Sequence, residues 1–375
     1  MVDLAEIIGR HGEAYLARFG AQILPSHRRA LRDLAACRTA ELGGRLFACD
    51  ACGHEHYAYH SCNNRSCPTC SGARTGRWLA KREAELLPTR YFHVVFTLPE
   101  PWREVVRSHQ KKLLPLLMRA AAQSLLNLGA DPRQLGGELG LLCVLHTWSR
   151  TLVYHPHVHF LVPAGALNRD GVWNPARKKF LLPVRALSRL FRGKFLHGAC
   201  QLLPRTERPA YSDQEWVVYA KPTLNRTRKV LAYLGRYVHR VAITNRRILK
   251  LENGQVTFRW KESATGAARF MTLPAEEFLR RFLQHVLPRG THKVRYYGLL
   301  SPARRIRFKH LQLLLLAERC RMPEQAEVAT AAPIESPCPN CATGTLVMVG
   351  RLPRIARSPP RQILDHNQKA TGAGA

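Results

Sequence analysis

Six of the chain's eleven cysteines fall between Cys37 and Cys70, and this cluster constrains the fold more than any other feature. Within it stand Cys49-Asp-Ala-Cys52 and Cys67-Pro-Thr-Cys70, two CxxC pairs separated by fourteen residues. A segment this rich in cysteine, glycine and histidine is too small to build a large core alone and needs a cross-link. The amino terminus, MVDLAEIIGRHGEAY, lacks the basic-then-apolar pattern of a secretory signal, so clustered CxxC pairs read as metal ligands rather than disulfides. Each pair presents two thiolates to one tetrahedral ion, and Gly53 and Gly72 follow, where the backbone must turn tightly. Cys49, Cys52, Cys67 and Cys70 are therefore the expected ligands of a structural zinc, which has no open position for water. Cys37, Cys62, His54, His56 and His60 are left over as candidates for a second zinc. Cys338-Pro-Asn-Cys341, near the other end, is half of such a ribbon with no second CxxC beside it. It reads equally as a relic, a partner-dependent knuckle or a metal site.

The charge balance narrows the partner. Lys and Arg number 58 against 26 Asp and Glu, a formal net charge of +32. That excludes an ordinary neutral metabolic enzyme as the default. A hydrophobic content of 46% excludes a disordered basic tail. No run approaches the roughly 18 apolar residues of a membrane span. A soluble, folded, strongly basic protein is expected to meet a polyanion, with nucleic acid ahead of a membrane surface.

Residues 1–36 have helical periodicity, 37–76 form the ribbon, and 77–90 look like a connecting helix. Strands are expected at 91–99, 141–148, 157–163 and 215–221. Helices are expected at 103–130, 183–203, 227–241, 275–287 and 301–317. Glu252-Asn253-Gly254 between two β-rich runs is a strong hairpin signal. Strands and helices without regular βαβ alternation argue an α+β fold with a mainly antiparallel sheet. The expected order is a catalytic domain over 91–270, a basic helical extension over 271–320, and a partly disordered tail over 321–375.

The most informative stretch is Tyr154-His155-Pro156-His157-Val158-His159-Phe160. On a strand, His157 and His159 project to one face while Val158 and Phe160 enter the core. Two imidazoles side by side on a buried strand are costly without a shared metal or acid. His146, on the preceding strand, is the expected third ligand if the two strands are antiparallel neighbours. Such a site suits catalytic zinc, or magnesium or manganese when phosphate oxygens complete it, and residue types do not choose.

Tyr233 and Tyr237 stand at i and i+4, on one face of a helix. From Lys221 to Lys250 there are nine Lys/Arg and no acid. Arg228, Lys229, Arg236, Arg240, Arg246 and Arg247 belong to this window, which suits a phosphate backbone better than a core. A second acid-free window, 278–317, holds nine more, including Lys293 and Arg295. A tyrosine hydroxyl is a poor nucleophile at neutral pH, and a metal that polarises the phosphate under attack makes it useful. The expected reaction is in-line attack on a DNA phosphodiester, giving a phosphotyrosine and a free 3′-hydroxyl.

At these residues the chain resembles the HUH endonuclease superfamily, and most closely the two-tyrosine rolling-circle transposases of the insertion sequence ninety-one family. The resemblance runs through CRTAELGG at 37–44, CDACGHEH at 49–56, SCNNRSCPTC at 61–70, HVVFTLP at 93–99, HTWSRTLVYHPHVHFLVPAG at 146–165, YLGRYVHRVAITNRRI at 233–248 and FLQHVLPRGTHKVRYYGLL at 282–300. It implies a palm-like antiparallel sheet with flanking helices, His157, His159 and His146 holding magnesium or manganese, and Tyr233 and Tyr237 as nucleophiles. It also implies cleavage of single-stranded DNA at the element's ends, through a 5′-phosphotyrosine, and joining to a target site. Ser66 stands where the family often has a histidine, which weakens a second zinc. No Walker-type loop is present, so strand separation is expected from host replication or helicase proteins, in a bacterial, nucleoid-associated setting. The competing readings are a plasmid replication initiator or conjugative relaxase, a non-catalytic zinc-ribbon regulator, and a histidine-zinc hydrolase. The ribbon ahead of the palm and the tyrosines behind it favour the transposase.

Overall fold

The computed structural model describes residues 2–83, 86–177, 179–210, 215–223, 235, 241–262, 264–319 and 337–355. The fold is α+β, and every strand pair among the described residues is antiparallel. Two compact units divide the chain: Met1–Ala35 with Asn63–Thr330, and Ala36–Cys62 with Ala331–Ala375. No helix of the described residues is long and apolar enough to cross a membrane.

The larger unit opens with helices α1 (Leu4–Phe19) and α2 (Pro25–Ala35). Asp3 caps α1 by accepting from the Glu6 amide at 2.9 Å, and Leu4, Ile7, Ile8 and Tyr15 supply the buried stripe. In the smaller unit, β1 (Gly44–Cys49) and β2 (Glu55–Tyr59) form a hairpin. Helix α3 (Pro68–Glu83) starts inside the second CxxC pair, earlier than expected, because Pro68 suits the first turn of a helix.

Next come β3 (Tyr91–Thr97), α4 (Trp102–Ser108), α5 (Gln110–Ala130), β4 (Gly140–Trp148) and β5 (Tyr154–Pro163). The single helix expected over 103–130 is thus two, broken at His109, whose backbone leaves the helical region (φ −113°, ψ 37°). A short ribbon, β6 (Gly165–Leu167) and β7 (Trp173–Pro175), precedes α6 (Val184–Leu202) and β8 (Val218–Pro222). Then come β9 (Ile248–Glu252), β10 (Gln255–Lys261), β11 (Ala268–Pro274), α7 (Ala275–Leu283), β12 (Val294–Gly298), α8 (Arg305–Arg319) and β13 (Leu346–Leu352).

The central sheet has the order β12-β4-β5-β3-β8. Its two faces follow the period of two. Phe92, Val94, Phe96, Leu141, Cys143, Leu145, Val158, Phe160 and Val162 are buried in the core shared with α5 and α6. The alternate residues of β4 and β5 face the other way. β5 begins three residues earlier than its expected start and runs through Pro156. Proline has no amide hydrogen for the ladder, and Pro156 falls where the β4–β5 register shifts between His146 and Trp148.

A second sheet, β11-β10-β9, carries the expected hairpin. Asn253 and Gly254 both have positive φ (48° and 72°), as a type I′ turn requires. The smaller unit is a three-stranded sheet, β13-β1-β2. Its third strand comes from the segment expected to be a partly disordered tail.

Candidate functional site

The candidate site lies on the sheet face opposite α5 and α6. His146 on β4 is the direct cross-strand partner of His157 on β5, and His159 follows two residues on. Antiparallel partners project to the same side, so three imidazoles gather. One ring nitrogen from each lies within 4.8 Å of the others. His146 is buried, while His157 and His159 are partly open. His155 contributes its carbonyl instead, which accepts from Nδ1–H of His157 at 2.7 Å. That bond fixes the tautomer and leaves the lone pair of His157 on Nε2, where it could hold a metal ion.

His93 on β3 was not singled out from sequence, and it is the ring partner of His159. Its Nε2 lies 2.8 Å from Nδ1 of His159. Burial pushes the His93 pKa down to about 4, so the ring is held neutral, and one hydrogen is shared between its Nε2 and Nδ1 of His159. The only signal was its place in YFHVVFTLP. That it lies beside His159 depends on the β3–β5 register, which pairs Val95 with His159.

Around the histidines lies an aromatic and basic rim. The Trp148 ring stacks on His146 at 4.5 Å between centroids, and Nζ of Lys293 stands 4.9 Å from the Trp148 ring. Trp148, Lys293, His285 and Phe282 line one pocket. His285 donates from Nε2 to the Leu152 carbonyl at 3.1 Å, and burial pushes its pKa down to about 3.

The predicted DNA contacts divide. Lys293 joins the histidine rim. Arg295 pairs in register with Cys143, a core residue, and so faces the helices. Arg246 is exposed. Arg247 is held by carbonyls of Arg150 at 2.6 Å and Arg259 at 2.8 Å, and braces the β9–β10 hairpin. Tyr233, Tyr237, Arg228, Lys229, Arg236 and Arg240 lie outside the described residues. The window 278–317 is free of acids in sequence but not in space. Arg280 and Arg281 bond Glu277, whose pKa is pulled down to about 2 by these bonds, and Arg304 and Arg307 meet Glu138.

In the smaller unit, Cys49 and Cys52 gather with Cys338 and Cys341. That group is complete without Cys67 and Cys70, which open α3 in the other unit and are both buried.

Comparisons with known proteins match two regions of the chain. A family described as "Putative transposase" matches residues 140–307, which hold His146, His157, His159 and Lys293. One described as "Transposase zinc-binding domain" matches residues 7–98. The "Putative transposase y4qJ" of Sinorhizobium fredii is 40% identical over 96% of this chain and 97% of its own length. The "Transposase for insertion sequence element IS801" of Pseudomonas savastanoi pv. phaseolicola is 30% identical over 72% of this chain and 68% of its own. No solved structure matches the chain.

Proposed function

This chain belongs to the insertion sequence ninety-one family of transposases, with a zinc-binding domain and DNA as its partner, and we propose that it cleaves and rejoins single-stranded DNA at the ends of a mobile element by tyrosine attack. The observation that carries this reading is the convergence of His146, His157 and His159 on one open sheet face, with Trp148 and Lys293 at its rim.

His157 and His159 each have Nδ1 engaged in a hydrogen bond, to the His155 carbonyl and to the His93 ring, with Nε2 assigned to a cation. The residues fit a divalent ion with open positions, and magnesium or manganese there would neutralise charge growing on a bound phosphodiester. Trp148 offers a face on which a base can stack, and Lys293 offers a cation to the adjoining phosphate.

Tyr233 and Tyr237 are assigned as the nucleophiles. The phenol loses its proton to solvent, its oxygen bonds to phosphorus, and the bond from phosphorus to the 3′-oxygen breaks. The 3′-oxygen takes up a proton and leaves as a hydroxyl, with the 5′-phosphate held on tyrosine. One phosphodiester replaces another, so a second strand's hydroxyl can reverse the step without ATP. Two tyrosines allow one end to stay held while another is cut. Arg228, Lys229, Arg236, Arg240 and Arg246 are assigned to the DNA backbone. Cys67 and Cys70 are assigned to a structural zinc. Strand separation is assigned to host replication or helicase proteins at the bacterial nucleoid.

The test uses labelled single-stranded oligonucleotides from the ends of the element, with manganese or magnesium, on a denaturing protein gel. A covalent protein–DNA band is expected, lost in Tyr233→Phe plus Tyr237→Phe and sharply reduced in His157→Ala. Persistence of the band in the double tyrosine variant overturns the mechanism. Site-specific binding with no adduct favours a zinc-ribbon regulator.

A further inference from the structure

We propose that Cys49, Cys52, Cys338 and Cys341 bind one zinc ion, so that the carboxy-terminal pair is half of the amino-terminal zinc domain. Residues 338 and 341 lie outside both family matches, which end at 98 and 307. Four observations carry the assignment.

The first is distance. Sγ of Cys49 lies 3.7 Å from Sγ of Cys341, and Sγ of Cys52 lies 3.8 Å from Sγ of Cys338. A tetrahedral zinc with bonds near 2.3 Å holds its sulfurs about 3.8 Å apart. The same distances are far beyond the roughly 2.05 Å of a disulfide.

The second is the knuckle backbone. The Cys52 amide donates to Sγ of Cys49 at 3.5 Å, the Asn340 amide to Sγ of Cys338 at 3.4 Å, and the Gly344 amide to Sγ of Cys341 at 3.4 Å. Amide donors turned toward sulfur stabilise thiolates, the form that binds metal. The residue after each pair is left-handed: Gly53 at φ 70° and Ala342 at φ 57°. Alanine adopts that conformation only where its surroundings impose it. Two sequence-distant segments thus fold into one and the same turn.

The third is the frame. β13 pairs with β1 from Gly44↔Leu352 to Cys49↔Leu346, which brings the two knuckles to one end of the sheet. The Thr345 amide donates to Oδ1 of Asp50 at 2.8 Å, and the Asp50 amide to the Thr345 carbonyl at 3.2 Å, tying the turns together.

The fourth is fit. A Cβ at Gly344 would collide with Sγ of Cys49 and come within 2.7 Å of the Ala51 methyl. The second knuckle can approach the first this closely only with glycine there.

The site spans 286 residues between Cys52 and Cys338, so the domain closes only when nearly the whole chain exists. The full-length protein tests this by zinc content, independently of any DNA cleavage. Cys338→Ser plus Cys341→Ser is expected to lose one zinc per chain, as is Cys49→Ser plus Cys52→Ser. Serine at all four positions is expected to lose one and no more. In the wild-type protein, Cys49, Cys52, Cys338 and Cys341 should resist iodoacetamide together and become reactive together once a zinc chelator is added. Unchanged zinc content in the carboxy-terminal double variant overturns the proposal. Losses that sum to two in the fourfold variant overturn it as well. So does alkylation of Cys338 and Cys341 at the same rate with and without chelator, which needs no variant to fold.

Discussion

Nε2 of His93 lies 2.8 Å from Nδ1 of His159, and the two rings are within 6° of parallel. One ring sits on β3 and the other on β5, so the sheet itself sets how the two imidazoles meet. Second-shell partners of this kind change metal affinity by about 10- to 100-fold. His93→Ala is expected to weaken manganese binding in that range, measured by titration calorimetry. His93→Gln, which keeps a hydrogen-bonding group toward Nδ1 of His159, should recover part of it. If both variants lose thermal stability while the manganese Kd stays put, His93 is only a core residue.

Lys293, just ahead of β12, reaches the Trp148 ring, whereas Arg295 on β12 pairs in register with the core residue Cys143. Lys293→Ala should lower affinity for single-stranded DNA and flatten the plot of log affinity against log salt by about 0.7, the share of one phosphate contact. Arg295→Ala should leave that slope alone and lower the urea midpoint instead. Equal salt slopes in the two variants would contradict these separate roles.

His285 is buried with its folded pKa near 3, against 6.5 for an ordinary histidine. Below about pH 6.5 the unfolded chain takes up a proton that the folded chain refuses, so stability falls with falling pH down to about 3. His285→Gln has no such proton to take up. Denaturant midpoints at pH 7 and pH 5 should therefore fall further for the wild type than for the variant. Parallel losses would mean that His285 is not held neutral.

Gly254 and Gly298 both have positive φ (72° and 58°), but only one is crowded. A Cβ at Gly254 meets nothing within 4 Å, so Gly254→Ala is expected to cost only the backbone strain, about 1–2 kcal/mol. At Gly298 a Cβ would run into the Leu139 carbonyl and the Leu126 side chain. Gly298→Ala should cost more than about 3 kcal/mol, strain and overpacking together. Urea unfolding of the two variants checks the order.

Much of this protein was legible in one dimension. The period-two run over 157–163 placed His157 and His159 on one face, because strand geometry makes that a property of spacing alone. The preceding strand could be read from its apolar run, so His146 was reachable once antiparallel pairing was assumed. Asn253-Gly254 named its own turn, since few residues accept positive φ twice in succession. What spacing could not supply was which distant segments meet. Cys49 and Cys52 have a nearer CxxC at Cys67 and Cys70, yet the pairing of β1 with β13 brings them Cys338 and Cys341. Acid-free windows fared likewise, since Glu277 and Glu138 reach into one of them from outside. The amino-acid sequence determined the chemistry available and the local geometry of each strand and turn. Only the tertiary structure decided which thiols gather, which histidine meets another, and which cations face outward, because sheet register joins residues far apart in the chain.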